Sequence, residues 1–357
     1  MSKKEQLYQL VRSHPSISQQ ALADQLHISR SAVAGYIASL IREGRILGRA
    51  YVLPSERPLM CIGGANIDRK LRTYAALQMG TSNPVSQIES FGGVARNIAE
   101  NLAHLASPDL SVQLISALGD DVAGESLRKH AESVGIDVKS CLQVSGEATG
   151  SYTALLDEQG GLLLAMAHMT LCDALTPEFL ARSAQQRRNA ALVIADLNLS
   201  QASLQMLLQE AQQSGSPLLF VAVSEPKMQR LPLRLDGLRL LILNQYELQA
   251  LAGRMLDDHA QIADACASLQ KRGAVDIVVT LGADGVIWTD AGNQAGFCHL
   301  LAIPVTVTDV TGAGDAFAAA VCWSLAKQPD DLAAACQQGL LMAAQTVQNA
   351  SSVAIVS

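Results

Sequence analysis

The chain has 357 residues, about half of them apolar, enough for one large core and a small additional unit. Its net charge of −7 excludes a bulk nucleic-acid binder. No apolar run reaches the roughly 18 residues of a membrane span, and the polar start Met1–Gln9 lacks a signal core, so a soluble cytoplasmic protein without a membrane partner is expected.

The charge is uneven. Up to Leu53, seven Lys/Arg face three Asp/Glu, a local excess of +4 that leaves −11 for the rest. A basic DNA-reading unit fused to an acidic enzyme shows such a split, as does chance in a short window. The seven cysteines are scattered without a C-x-x-C pair, which fits reduced thiols better than zinc or disulfides.

Residues 4–13 carry Leu7, Leu10 and Val11 at helical spacing, and Ser18 caps a second short helix over 19–26. Ser29 caps a third helix, to about Glu43, whose Val33, Ile37, Leu40 and Ile41 form one buried stripe. Gly44 stops it, and Arg45–Leu53 alternates like a small wing. Two helices across a tight turn make a helix-turn-helix pattern, with Arg30, Ser31, Tyr36, Arg45 and Arg49 as candidate DNA contacts. An oligomerisation or docking unit is the alternative.

After a Pro-bounded linker at 54–58, strands alternate with helices. Buried strands are predicted at 59–62, 112–117, 191–195, 217–221, 238–243 and 276–280. Helices are predicted at 94–105, 124–134, 177–187, 201–213, 245–251, 260–272, 312–326 and 330–348. That alternation predicts a parallel sheet between helical layers. Two mixed-polarity stretches, about 69–91 and 150–168, break it and read as a small β lid.

Asp309-Val310-Thr311-Gly312-Ala313-Gly314-Asp315 follows a β-rich stretch (Ile303–Thr308) and opens a helix. Small residues there let backbone N–H groups converge at a positive helix end, an anion hole suited to a phosphoryl group. A carboxylate beside it, Asp315, fits a base for an attacking hydroxyl; an ordinary N-terminal Asp is the alternative. Gly92-Gly93 before a helix, with Asn97, and Gly63–Asp68 at the end of the first core strand fit a sugar site, since ligands sit at carboxyl strand ends in such sheets. Asn244 and Glu247 could organise Mg2+ through water, or simply cap a helix. Thr280, Gly282 and Gly285 could line a nucleotide site, or form a plain β-turn.

In this order and spacing the segments resemble the ribokinase/PfkB carbohydrate kinase family from about Leu59 to Ser357. The resemblance implies a three-layer α/β/α sandwich (class α/β) with a small β-sheet lid, here preceded by a winged helix-turn-helix unit. The divisions would be 1–53, 54–58 and 59–357. It implies ATP and Mg2+ as cofactors, Asp315 as base, and Gly312, Ala313 and Gly314 as anion hole. Asn66, Asp68, Gly93 and Asn97 would hold sugar hydroxyls; Asn244, Glu247, Thr280, Gly282 and Gly285 would serve the nucleotide side. Asp309 matches a position that binds a monovalent cation, K+, in some members.

Gly-Gly-Val-Ala-Arg-Asn at 92–97, Ser82-Asn83-Pro84 and 146–152 are similar to the pseudouridine-kinase branch. That implies phosphorylation of a nucleoside 5′-hydroxyl, pseudouridine first. An inosine-like nucleoside, a free sugar, or a nucleoside-sensing DNA-binding regulator are the alternatives. Val85 in place of glycine, Ala167-His168-Met169 in place of an acidic stretch, and Val223–Pro226 in place of Asp-Pro depart from the pattern. Helix-turn-helix geometry on DNA implies a homodimer.

Overall fold

A computed structural model describes residues 2–14, 17–47, 57–105, 110–290 and 296–349. The chain begins with α1 (Lys3–Ser13), α2 (Gln19–Leu26) and α3 (Arg30–Arg42). Each is capped by a serine whose hydroxyl accepts an N–H of the first turn: Ser2, Ser18 and Ser29. The α2–α3 turn runs through His27 in the left-handed region (φ 51°). Leu7, Val11, Leu22, Leu26, Val33, Ile37, Leu40 and Ile46 close a separate small core. The expected wing falls mostly on 48–53, outside the described residues, as does linker 54–56.

The larger unit follows as β1 (Leu59–Ile62), β2 (Asn66–Thr73), β3 (Val85–Gly92), α4 (Val94–Leu105), β4 (Val112–Ile115), β5 (Ala117–Gly119) and α5 (Val122–Ser133). Next come β6 (Ile136–Asp137), β7 (Leu142–Val144), β8 (Ser151–Leu156), β9 (Leu162–His168), α6 (Pro177–Ala181), α7 (Ala184–Asn189), β10 (Leu192–Asp196), α8 (Gln201–Ser214) and β11 (Leu218–Val221). The chain continues through β12 (Leu240–Asn244), α9 (Gln245–Ala252), α10 (His259–Lys271), β13 (Asp276–Thr280), β14 (Val286–Thr289), β15 (Phe297–Leu300), α11 (Ala313–Lys327) and α12 (Leu332–Thr346).

The main sheet has the order β15-β14-β13-β12-β11-β10-β1-β4-β6, parallel from β13 to β6, with β14 and β15 antiparallel at one edge. Strand alternation divides the core. Met60, Ile62, Val193, Phe220, Leu241 and Val279 face α8 and α10, while Leu59, Cys61, Ile194, Val221, Ile242 and Val278 face α4, α11 and α12. Three layers result. A second sheet, β3-β2-β8-β9, forms the lid; its hairpin turns at Asp157–Gly161 as the sequence predicts. Among the described residues no helix is long and apolar enough to cross a membrane.

Three expected elements differ. The strand over 112–117 is cut at Ser116 into β4 of the main sheet and β5, which pairs with β7 in a separate two-stranded sheet. The helix over 177–187 is broken into α6 and α7. The Leu180 carbonyl at the break accepts instead from the buried Arg187 guanidinium, at 2.6 Å. The β-rich reading of 303–308 fails because this stretch is coil. Pro304 has no N–H, and those of Thr308 and Asp309 both donate to Val347 O.

Candidate active site at the carboxyl edge of the sheet

β10 ends on Asp196, which is 1% exposed. Its Oδ2 accepts the N–H groups of Gly64 (2.8 Å) and Ala95 (2.9 Å), and its Oδ1 accepts that of Asn198 (2.8 Å). One buried carboxylate therefore ties the turn after β1 to the start of α4. Burial pushes its pKa up, and these N–H donors oppose that. Gly93 completes the junction at φ +99°, where a side chain would collide with Gly64 O. Sequence reading missed Asp196; its only local signal is an acid ending an apolar strand.

Asn66 and Asp68 lie on lid strand β2 rather than in a loop, and Asn66 Nδ2 donates to Asp68 Oδ1 at 2.6 Å. Burial raises the Asp68 pKa, partly offset by that bond and by the charges of Lys70 and Arg96. In α4, Asn97 Nδ2 donates to Asp315 Oδ2 at 2.7 Å, while Asn97 Oδ1 accepts from Arg96 Nη1 at 2.9 Å. Arg96, 2% exposed, also donates to Phe91 O and pairs with Glu100. Burial pulls its pKa down to about 10, opposed by Asp68 and Asp315. The structure thus gathers Asp68, Asn97 and Asp315 around Arg96, a residue the sequence reading quoted without a role.

Asp315 occupies the first turn of α11, which starts from Gly312 at φ 80°. Burial raises its carboxyl to about 7; the Asn97 bond lowers it, while Asp196, Asp68 and Glu247 add to the rise. The predicted anion hole needs one correction. The Ala313 N–H donates to Val310 O at 3.2 Å, so it is already used. The first intrahelical bond is Ala316 N–H to Gly312 O, leaving the amides of Gly314 and Asp315 at the open helix end. No atom lies within 4 Å of where a Gly314 Cβ would be, so that end has room for an anion.

On the other side of the edge, Asn244 and Glu247 form a reciprocal capping box for α9. Asn244 Oδ1 accepts from Glu247 N (2.9 Å) and Glu247 Oε2 from Asn244 N (2.8 Å). The capping alternative therefore describes these groups. Burial pushes Glu247 up to about 7, with the Asn244 N–H opposing and Glu225 adding to the rise. Glu225, Ser224, Asn244 and Glu247 line a cleft of about 460 Å³. Thr280 is the register partner of Asn244 on the next strand. Gly282 (φ 61°) and Gly285 (φ 94°) shape the turn into β14, closed by Leu281 N–H to Gly285 O at 2.8 Å. Thr280 ends β13, three strands along the main sheet from β10, which ends on Asp196.

Asp309 does not stand open. Its Oδ2 receives Lys70 Nζ from the lid at 2.5 Å, and its Oδ1 receives the N–H (2.9 Å) and hydroxyl (2.6 Å) of Thr311. In the N-terminal unit Arg30 and Ser31 are exposed and Tyr36 half-buried at or near the start of α3. Arg45 is a correction: both terminal nitrogens bind the Glu5 carboxylate at 3.0 Å, and its guanidinium stacks 3.8 Å over Tyr8. It ties the segment after α3 to α1. Arg49 lies outside the described residues.

A three-layer parallel sheet under a β flap, with an acid at a helix start on its carboxyl edge, defines the class: an α/β kinase acting on hydroxyl groups. The chain belongs to the pfkB family of carbohydrate kinases, whose family model matches residues 57–356, and a helix-turn-helix (HTH) domain model matches 3–52. Nucleoside or sugar kinase activity is the family's activity. The chain is 35% identical over 267 residues to the pseudouridine kinase of Escherichia coli (strain K12), covering 74% of this chain and 83% of that protein. It is 31% identical over 324 residues to the uncharacterized sugar kinase YeiI of the same organism, covering 90% and 87%. Ribokinase of Arabidopsis thaliana, solved with ribose and ATP, superposes with a TM-score of 0.72 at 22% identity over 84% of this chain and 96% of that one. This last likeness shows the ribokinase-like fold.

Proposed function

We propose that this enzyme transfers the γ-phosphoryl group of ATP to the 5′-hydroxyl of a nucleoside, pseudouridine, and that the N-terminal unit reads DNA. The observation that carries the kinase chemistry is Asp315: a carboxyl raised to about 7, in the first turn of α11, hydrogen-bonded to Asn97 across from Asp68. A base with a pKa near the working pH takes a hydroxyl proton most effectively.

In this reading Asp68 and Asn66 hold the ribose hydroxyls, and Asn97 holds Asp315 rather than the sugar. Asp315 accepts the proton of the attacking hydroxyl. The new O–P bond forms as the bond from the γ-phosphorus to the β–γ bridging oxygen breaks, and the Gly314 and Asp315 amides meet the developing charge. Arg96 fixes the Asn97 amide so that its NH2 faces Asp315. Thr280, Gly282 and Gly285 line the nucleotide side, and the lid excludes water. The donor set of the Glu225–Glu247 cleft fits a hydrated Mg2+: two carboxylates line it, and the Glu225 charge adds to the rise at Glu247 that a divalent ion would relieve. When bound, that ion supplies charge neutralisation on the phosphates.

Pseudouridine is favoured over other nucleosides by the 35% identical relative of that name. A panel of pseudouridine, uridine, inosine, ribose and fructose with ATP decides it. Pseudouridine should lead in kcat/KM by at least about tenfold. A lead by inosine or a free sugar refutes the base assignment while leaving the phosphotransfer reading intact, and no turnover of any refutes both. The division at 53 and 59, cytoplasmic residence and a homodimer belong to the same reading. β9 exposes Leu162, Leu163, Leu164 and Met166 along one lid edge, as a self-association surface would. A monomeric mass by light scattering removes the dimer.

A further inference from the structure

The Asp309 environment disagrees with the monovalent-cation role its motif position implies. A K+ ion needs oxygen lone pairs. Asp309 Oδ1 already takes the Thr311 N–H and hydroxyl, and Oδ2 takes Lys70 Nζ at 2.5 Å. The neighbouring Val347 carbonyl accepts two N–H groups, from Thr308 and Asp309. A unit positive charge is nonetheless present, in the Lys70 ammonium, which also lies 3.1 Å from Thr311 Oγ1.

We propose that the Lys70 ammonium replaces the monovalent cation, so that this enzyme is cation-independent and receives the activating charge from its own lid. This rests on the kinase reading given above. The placement makes the charge useful. Asp309 and Thr311 lead directly into Gly312 and the first turn of α11, where the Gly314 amide and Asp315 sit. Pinning both Asp309 oxygens fixes that entry turn. An ammonium group matches K+ in charge and is close to it in size, and its three N–H donors suit the acceptors that a metal would otherwise have coordinated. Lys70 belongs to β2, the strand that carries Asn66 and Asp68. The same strand thus brings the sugar-side Asn66 and Asp68 and the loop-ordering cation to the site together, and a lid displaced from this position would leave Asp309 without its Lys70 partner.

The test is a cation-replacement experiment on the full chain, with tetramethylammonium chloride substituted for KCl at constant ionic strength. Wild-type kcat/KM on its best nucleoside or sugar should change less than about twofold. Lys70→Met should lose at least about tenfold in tetramethylammonium and regain most of it in K+ or NH4+. Lys70→Arg, which keeps the charge, should remain cation-independent. Asp309→Asn should be slow and unrescued by any cation. A second readout needs no turnover: thallium(I) NMR should show site binding to Lys70→Met and none to wild type. Saturable activation of wild type by K+ of about tenfold or more, or thallium binding to wild type, overturns the proposal. So does a Lys70→Met protein that is folded but neither binds thallium nor gains from K+. Absence of turnover in every cation would instead refute the kinase reading, and the thallium result would still decide the role of Lys70.

Discussion

Replacing Asp315 by Asn keeps the shape and the acceptor for Asn97 Nδ2 but removes both the base and the buried charge. Two effects of opposite sign follow. Loss of positioned proton transfer should lower kcat by about 10²–10⁴-fold with KM nearly unchanged. Stability should move the other way. The folded carboxyl titrates at about 7, against about 3.9 in the unfolded chain. A raised folded pKa means that the native state holds its proton more tightly, so the stabilising contribution is full below about pH 4 and is lost as pH rises towards about 7. A shift of about 3 units corresponds to at most about 4 kcal/mol above pH 7, and contact with solvent at the site mouth reduces this. The amide side chain of Asp315→Asn never acquires the charge. The variant should therefore match wild type near pH 4 and exceed it by about 1–3 kcal/mol near pH 8. Urea unfolding at both pH values, beside steady-state kinetics, tests the pair. A variant with more than about a tenth of wild-type kcat refutes the base role. An equal stability difference at both pH values refutes the electrostatic account.

Asn97→Ala removes the hydrogen bond that lowers the Asp315 pKa. Because the base must be ionised, the acid limb of kcat/KM should move to higher pH, by about 0.5–1 unit; an unmoved limb in the pH–rate profile refutes the contact. Gly93→Ala meets both a left-handed backbone and the Gly64 carbonyl, and should cost about 2–4 kcal/mol in urea unfolding. Gly80→Ala, at φ +77° with nothing within 4 Å, should cost only about 1 kcal/mol. Equal costs would show that the junction gives way. On DNA, Arg30→Ala should reduce the salt dependence of binding by about one unit of log–log slope. Arg45→Ala should leave that slope unchanged while lowering the melting temperature of the helical unit, because its guanidinium is spent on Glu5 and Tyr8.

Local rules made much of this molecule legible. Period-3.6 stripes placed α3, α4, α8 and α10 within a residue or two, and apolar runs placed β1 and β13 at their observed bounds. The glycine-rich start of α11 was visible because only small residues permit such a turn. What stayed hidden depends on partners distant in sequence. Asp196 meets Gly64 across 132 positions, and Asn97 meets Asp315 across 218, so no window contains either pair. The sequence therefore offered Asn97 only as a sugar ligand, and its bond to the Asp315 carboxylate was not visible in it. Lys70 carries no local motif, and its partner lies 239 positions on. At Asn244 and Glu247 the sequence is ambiguous for another reason: capping and metal organisation use the same residue types at the same spacing, and the capping bonds engage only one Glu247 oxygen, Oε2. The stretch 303–308 has strand-like side chains, yet its backbone donors turn to Val347.

The lid strands start from a common line. Asn66 at the start of β2 pairs with Gly92 at the end of β3, and Ile67 with Ser151 at the start of β8. Behind that line, Asp196 fastens Gly64 and Ala95 into one floor. The whole flap is consequently joined to the floor along that one line. Changes confined to the outer parts of its strands touch neither that line nor the Asp196 anchor behind it.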